Sequence, residues 1–281
     1  MGMASIPMAH GYVASNEEAC VNDKILNNVG NHMHWPFDEL VDLSVPISRD
    51  LPVSWPGHHG FEHTKWRSFN AGDFYQTSYF TMDEHCGTHC DAPAHFMRPE
   101  EFAGSYYYGD LLPLDLMHGP LKIIDVRSLC TTSHDGISPE IEPEVIRSWE
   151  HSHQSVESGD IVVFFTGWDR LLSDSGTRHQ YVDGPVVEKN APGWPVPSIA
   201  TIDYLHDKGV HCFGVDTPSM GASQGGMALH RHALSKSLIF VEGLANLDLV
   251  PSTGYHFMFL PVKLELSTGC PGRAIALGVH S

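Results

Sequence analysis

The sequence predicts a single α/β domain built on a mixed sheet, and three observations carry that prediction. Four compact runs, 121–126, 160–165, 210–215 and 238–242, are rich in β-branched or aromatic residues and bounded by turn formers, as buried sheet strands are. Two segments between them, 138–150 and 198–208, each open on a serine with a proline nearby, and the second stops at Gly209 just before a strand, which is how helices start and end. With 281 residues, 42% of them hydrophobic, the chain can bury one full core.

Taken in order, residues 1–34 are polar and without periodicity and read as a mobile or partner-clasping N-terminal extension, leaving 35–281 as the domain. Residues 40–46 form a short strand running into the loop Ser54, Trp55, Pro56, Gly57, which presents a tryptophan. A further strand follows near 76–83. After the alternating strands and helices, 253–266 and 273–279 supply more strands, so extra antiparallel hairpins accompany the α/β core. No repeat or low-complexity linker interrupts the chain.

Sixteen Lys plus Arg against a formal net charge of −18 argue against nucleic acid, whose phosphates would be repelled, and favour small neutral or mildly polar substrates. No segment is long and apolar enough to span a bilayer, and the start lacks a basic region followed by an apolar core, so the expectation is a cytoplasmic protein without a membrane partner. The cysteines, Cys20, Cys86, Cys90, Cys130, Cys212 and Cys270, are dispersed, which predicts free thiols rather than a disulfide framework.

Chemistry concentrates between His85 and His95, where three histidines and an aspartate fall within eleven residues. If this stretch is extended, His85, His89 and Asp91 project to one side and Cys86, Thr88 and Cys90 to the other. Two imidazoles and a carboxylate suit Zn²⁺, or Mn²⁺ where more carboxylate and water complete the shell. Pro93 turns the chain and swings His95 back over the same face, where it can serve as a base. The plainer alternative is a solvated or structural set in a Gly/Pro-rich loop. Downstream, His230 opens an apolar-periodic segment, and Glu242 ends an apolar strand where a buried carboxylate is costly unless a metal offsets it. A strand-end glutamate facing water is the alternative there.

The pattern His-x-Gly-Thr-His-x-Asp-x-Pro-x-His stands in full at 85–95 and resembles the hallmark of the cyclase superfamily, which includes bacterial kynurenine formamidases and isatin hydrolases. Supporting blocks are Asp42, Leu43, Ser44 with Trp55, Pro56, Gly57; Gly159, Asp160 with Thr166, Gly167, Trp168; Gly214 through Ser219; and Leu260 through Lys263 with Gly269, Pro271, Arg273, Ala274. The resemblance runs from about Leu40 to Leu277. It implies a swivelling β/β/α fold and a homodimer or larger assembly. It also implies first-metal ligands His85, His89 and Asp91, with Asp91 bridging to a second metal completed by His230 and Glu242. His95 then resembles the family's acid/base and Trp55 the aromatic residue that packs on substrate. Two departures stand out: Cys90 replaces a usual aliphatic residue, and Gly221 replaces an aspartate often found two residues after Ser219.

The expected activity is hydrolysis of a cyclic amide or arylformamide C–N bond by a metal-activated water, most like isatin hydrolase, with one or two Mn²⁺ or Zn²⁺ ions and no organic cofactor. N-formylkynurenine formamidase and lactone hydrolase are the alternatives within the family. Gly221, Ala222, Ser223, Gln224, Gly225 also satisfies the Gly-x-Ser-x-Gly pattern of serine hydrolases. Pro218 and extra glycines separate it from the preceding strand, so Ser223 reads as a loop residue near the substrate. A non-catalytic metal-binding protein is the other class in play.

Overall fold

The computed structural model describes residues 37–132 and 134–278. The N-terminal extension therefore lies outside the described residues. The chain forms β1 (Glu39–Asp42), β2 (Glu62–Arg67), β3 (Thr77–Thr81), β4 (His89–Asp91), β5 (His118–Asp125) and β6 (Glu140–Ile141). Helix α1 (Pro143–Ser152), β7 (Ile161–Phe165), β8 (Val196–Pro197) and α2 (Ile199–Asp207) follow. The rest comprises β9 (Cys212–Val215), α3 (Met227–Ser235), β10 (Ile239–Glu242), β11 (Tyr255–Pro261) and β12 (Gly269–Gly278).

The main sheet runs β1-β12-β11-β5-β7-β9-β10-β4, and β12 also pairs with β4. That extra pairing closes the sheet into a barrel. The strands β5, β7, β9 and β10 are mutually parallel, whereas β4 is antiparallel to both of its neighbours. The long β12 makes closure feasible, because Gly269–Pro271 pairs with β4 and the segment beyond Arg273 pairs with β1.

Side-chain alternation then builds two cores. Leu121, Ile123, Ile161, Val163, Phe165, Ile239 and Val241 fill the barrel, while Ile124, Val162, Phe164, Phe213 and Phe240 point outward beneath the helices. Strands apolar on both faces explain the unbroken hydrophobic runs in the sequence, and each fully buried Phe or Leu contributes about 1.5–3 kcal/mol. Trp149 of α1 seals the outer layer by donating its indole N–H to Ile123 O at 3.0 Å.

Several expected elements shift. The helix expected from 138 begins at Pro143, because 140–141 pairs as β6 with β8 and Ser138 is held by the 223–224 loop. The strand expected over 253–266 is confined to Tyr255–Pro261, whereas β12 starts earlier than expected, at Gly269. Strand β3 pairs with β2, a strand that no apolar pattern marks, and the hairpin they form is exposed throughout.

Candidate metal centre

Only His89–Asp91 of the motif is a strand; His85–Thr88 is a turn with Gly87 at φ 70°. His85 thus joins the group through that turn and not through strand alternation, which corrects the expected register before residue 89. Within β4 the alternation holds. Cys90 packs inside the barrel, and His89 and Asp91 face outward. Antiparallel pairing sets Glu242 of β10 directly opposite His89, and directly opposite pairs lie within side-chain reach. Gly269 of β12 lies opposite Asp91. A Cβ there would sit 2.6 Å from His85 Cε1, so the glycine makes the space that the imidazole fills. His230 enters from the first turn of α3, and the apolar-periodic segment it was expected to open stays helical only as far as Ser235.

All five groups are buried. They form two sets, His85/His89/Asp91 and Asp91/His230/Glu242, each with ligand atoms within 4.8 Å of one another and sharing Asp91. The donor chemistry fits a cation. His89 Nδ1 lies 2.9 Å from Gly87 O, and His230 Nδ1 lies 2.9 Å from Gly226 O. A carbonyl only accepts, so both Nδ1 atoms carry the proton and each Nε2 is left with a lone pair. Those lone pairs face carboxylates: His89 Nε2 is 3.6 Å from Asp91 Oδ1 and 3.5 Å from Glu242 Oε2. His230 Nε2 is 3.0 Å from Glu242 Oε1 and 3.3 Å from Asp91 Oδ2. Acceptors facing acceptors require a proton or a metal between them, and the buried Asp91 Oδ2 receives no hydrogen bond among the described residues. In the metal-free protein, burial opposes charging His230, but Asp91 and Glu242 prevail and push its pKa up to about 10. Burial likewise disfavours ionised Asp91, yet His95, His230 and His85 hold its carboxyl well below the usual range.

The turn at Pro93 places the His95 ring 3.8 Å from that of His85, tilted by 32°. Burial pushes the His95 pKa down to about 4, helped by the neighbouring imidazoles against the pull of Asp91. Arg231 ties α3 to this turn by donating to Phe96 O at 2.7 Å.

Ser54 donates to the His85 carbonyl, which sets the following Trp55 beside the site. Trp55 packs edge-on against Trp194 at 6.5 Å, and Trp194 against Trp168 at 5.9 Å. Asp216 anchors the Trp168 turn, taking hydrogen bonds from Thr166 and Gly167 backbone N–H groups at 3.0 and 2.6 Å. Ser223 lies in the loop between β9 and α3. Its N–H bonds Ser138 Oγ at 2.9 Å and its Oγ meets Ser138 and Gln224, with no imidazole partner among the described residues. The strand–elbow–helix needed for a serine nucleophile is absent among the described residues, because 216–226 separates β9 from α3. His58, which its pairing with His59 marks in the sequence as a chance histidine, has its ring 5.8 Å from that of His85; its place directly after the Trp55–Gly57 block is the signal that sets it apart. The described cysteines are free, and Cys20 lies outside the described residues.

The barrel and its paired His/Asp/Glu sets belong to a chain that matches the model of one protein family. The model of that family, Putative cyclase, matches residues 41–222, and the chain belongs to it. The chain is 28% identical over 211 residues to an isatin hydrolase from Roseibium aggregatum, covering 73% of this chain and 76% of that one. It is 30% identical over 226 residues to a kynurenine formamidase from Erythrobacter litoralis, covering 79% and 86%. In fold it matches the crystal structure of an isatin hydrolase bound to the product analogue thioisatinate, with a TM-score of 0.76 at 23% identity over 95% of this chain and 100% of that one.

Proposed function

We propose that this protein is a metal-dependent amidohydrolase that cleaves a cyclic amide or arylformamide C–N bond, most like isatin hydrolase. The observation that carries the reading is the buried pair of ligand sets sharing Asp91, with the His95 ring against one of them. The isatin hydrolase and kynurenine formamidase relatives support the substrate class. His85, His89 and Asp91 would hold one ion, and Asp91, His230 and Glu242 a second, as Mn²⁺ or Zn²⁺. A bound divalent ion polarises the substrate carbonyl and lowers the pKa of water.

The chain's own residues do the rest. His95 is neutral above about pH 4, so at neutral pH it accepts a proton as the water oxygen bonds the carbonyl carbon. It returns that proton to the nitrogen as the C–N bond breaks, a role worth about 10²–10⁴ in rate. Trp55 stacks on the aromatic part of the substrate, and Ser223 lines the loop beside it.

Elemental analysis of protein purified without added metal, with assays on isatin, N-formylkynurenine and simple lactones, tests the reading and separates the family's branches. His95→Ala should keep the ions and lose about 10²–10⁴ in kcat. Wild-type turnover in that variant excludes the acid/base role, and metal loss in step with activity makes His95 a ligand instead.

The same reading includes a cytoplasmic homodimer or higher homo-oligomer. The β2–β3 hairpin supports a second copy, since it exposes Trp66, Tyr75, Tyr79 and Phe80 and leaves Phe74 at 100% exposure, an apolar surface that a monomer rarely leaves in water. Sedimentation of Phe74→Ser should show a lighter species than wild type; an unchanged assembly places the contact elsewhere.

A further inference from the structure

His85 differs from the other two imidazoles of the ligand sets in what fixes its tautomer. His89 and His230 each give their Nδ1 proton to a backbone carbonyl. His85 has no such partner; its Nδ1 lies 2.9 Å from Asp91 Oδ1, and its Nε2 lies 3.3 Å from Thr268 Oγ1. The direction of that second bond is decided one step further out. Thr268 places its hydroxyl 2.8 Å from Glu84 Oε2, which also accepts the N–H groups of Thr268 at 2.7 Å and Gly269 at 3.3 Å. A carboxylate only accepts, so the single hydroxyl proton of Thr268 goes to Glu84. Thr268 Oγ1 then has only lone pairs to offer, and His85 Nε2 must donate.

We infer that Glu84 and Thr268 are positioning residues that hold His85 as its Nε2–H tautomer, so that it meets a metal through Nδ1 whereas His89 and His230 do so through Nε2. This rests on the metal-dependent reading above. Asp91 Oδ1 can only accept, so without a metal it takes a proton from Nδ1 as well; with Nε2–H kept by Thr268, that Nδ1 proton is the one a cation held by His85, His89 and Asp91 would displace. The same three bonds to Glu84 tie the start of β12 under the His85 ring, where Gly269 leaves room for it. Outer partners that orient a ligating imidazole typically change metal affinity by about 10–100-fold when removed.

The experiment measures the metal dissociation constant by competition with a chromogenic chelator for the wild type, Thr268→Val, Thr268→Ser, Glu84→Ala and Glu84→Gln. It is paired with ¹⁵N-histidine NMR of the Zn²⁺-loaded wild type. Thr268→Val, nearly isosteric, should weaken binding about 10–100-fold, and Thr268→Ser should restore it. Glu84→Ala should weaken binding too, whereas Glu84→Gln keeps an acceptor for the hydroxyl and should remain within a few fold of the wild type. The NMR signature should place a proton on His85 Nε2. Wild-type affinity in Thr268→Val, or a proton on His85 Nδ1, overturns the inference. If Thr268→Val does not fold, the Glu84 pair and the wild-type spectrum decide. A wild type that binds neither Zn²⁺ nor Mn²⁺ defeats the metal-dependent reading itself, an outcome distinct from a wild type that binds metal and is indifferent to Thr268.

Discussion

Replacing Gly221 by alanine tests how α3 presents His230. Gly221 is not at positive φ, so alanine adds no backbone strain and the change acts only through contacts. Its Cβ would sit 2.4 Å from Gly226 Cα, 2.8 Å from His230 Cε1 and 3.0 Å from Gly226 O, where ordinary contact begins at 3.4 Å. The glycine-rich loop and the imidazole must therefore separate by about 0.6–1 Å, and overpacking of this kind costs about 1–3 kcal/mol. Trp194 limits the relief, since its indole N–H is bonded to Gly221 O at 2.9 Å and its ring is fully buried. Ligand distances hold within about 0.2 Å of ideal, so moving His230 by this much also weakens the second ion. If the whole strain is felt by the bound state, metal affinity falls about 5–150-fold; if it is felt by the fold, the melting temperature drops by about 2–4 °C per kcal/mol. Thermal melts of the metal-free protein and Mn²⁺ or Zn²⁺ titrations read the two shares. Gly60→Ala, whose Cβ would meet only Val53 at 3.9 Å, serves as the control. A Gly221→Ala protein with wild-type melting and wild-type affinity would show that this close packing does not hold His230 in place.

His89→Ala should abolish activity and lower bound metal, measured by elemental analysis, because an outer partner cannot replace a lost ligand nitrogen. Cys90→Ala should instead keep near-normal metal, since Cys90 faces the barrel interior, and large metal loss there would contradict the strand register. Exhaustive chelation should remove turnover while Ser223→Ala leaves it; activity that survives chelation and vanishes in Ser223→Ala would establish a serine mechanism. The His230 pKa, raised to about 10 by Asp91 and Glu242 against burial, fixes a pH dependence. The proton on His230 stabilises the metal-free fold fully below its unfolded value near 6.5, and that contribution is lost as pH rises through about 10. Metal must displace this proton, so binding should tighten by up to about tenfold per pH unit for each proton released between pH 7 and 9. Calorimetry in buffers of different ionisation enthalpy counts the protons, and a pH-independent affinity would refute the pairing.

The motif residues were legible in the sequence because their spacing is local: within β4, alternation alone sends His89 and Asp91 one way and Cys90 the other, and Pro93 alone turns His95 back. The four apolar runs were legible as strands for the same reason, since a strand buried on both faces has to be continuously hydrophobic. Three things were decided only by the tertiary structure. Glu242 meets His89 because β4 inserts antiparallel between β10 and β12, a pairing between segments some 150 residues apart that no local pattern encodes. His85 joins them through a turn at Gly87 and a space left by Gly269, contributed by a strand at the far end of the chain. The lone pairs of His89 and His230 face the carboxylates because two backbone carbonyls take their Nδ1 protons, and a backbone carbonyl, present at every residue, leaves no mark in the sequence. Residue types and short spacings thus name the candidate ligands, whereas sheet closure and backbone geometry decide which of their atoms converge.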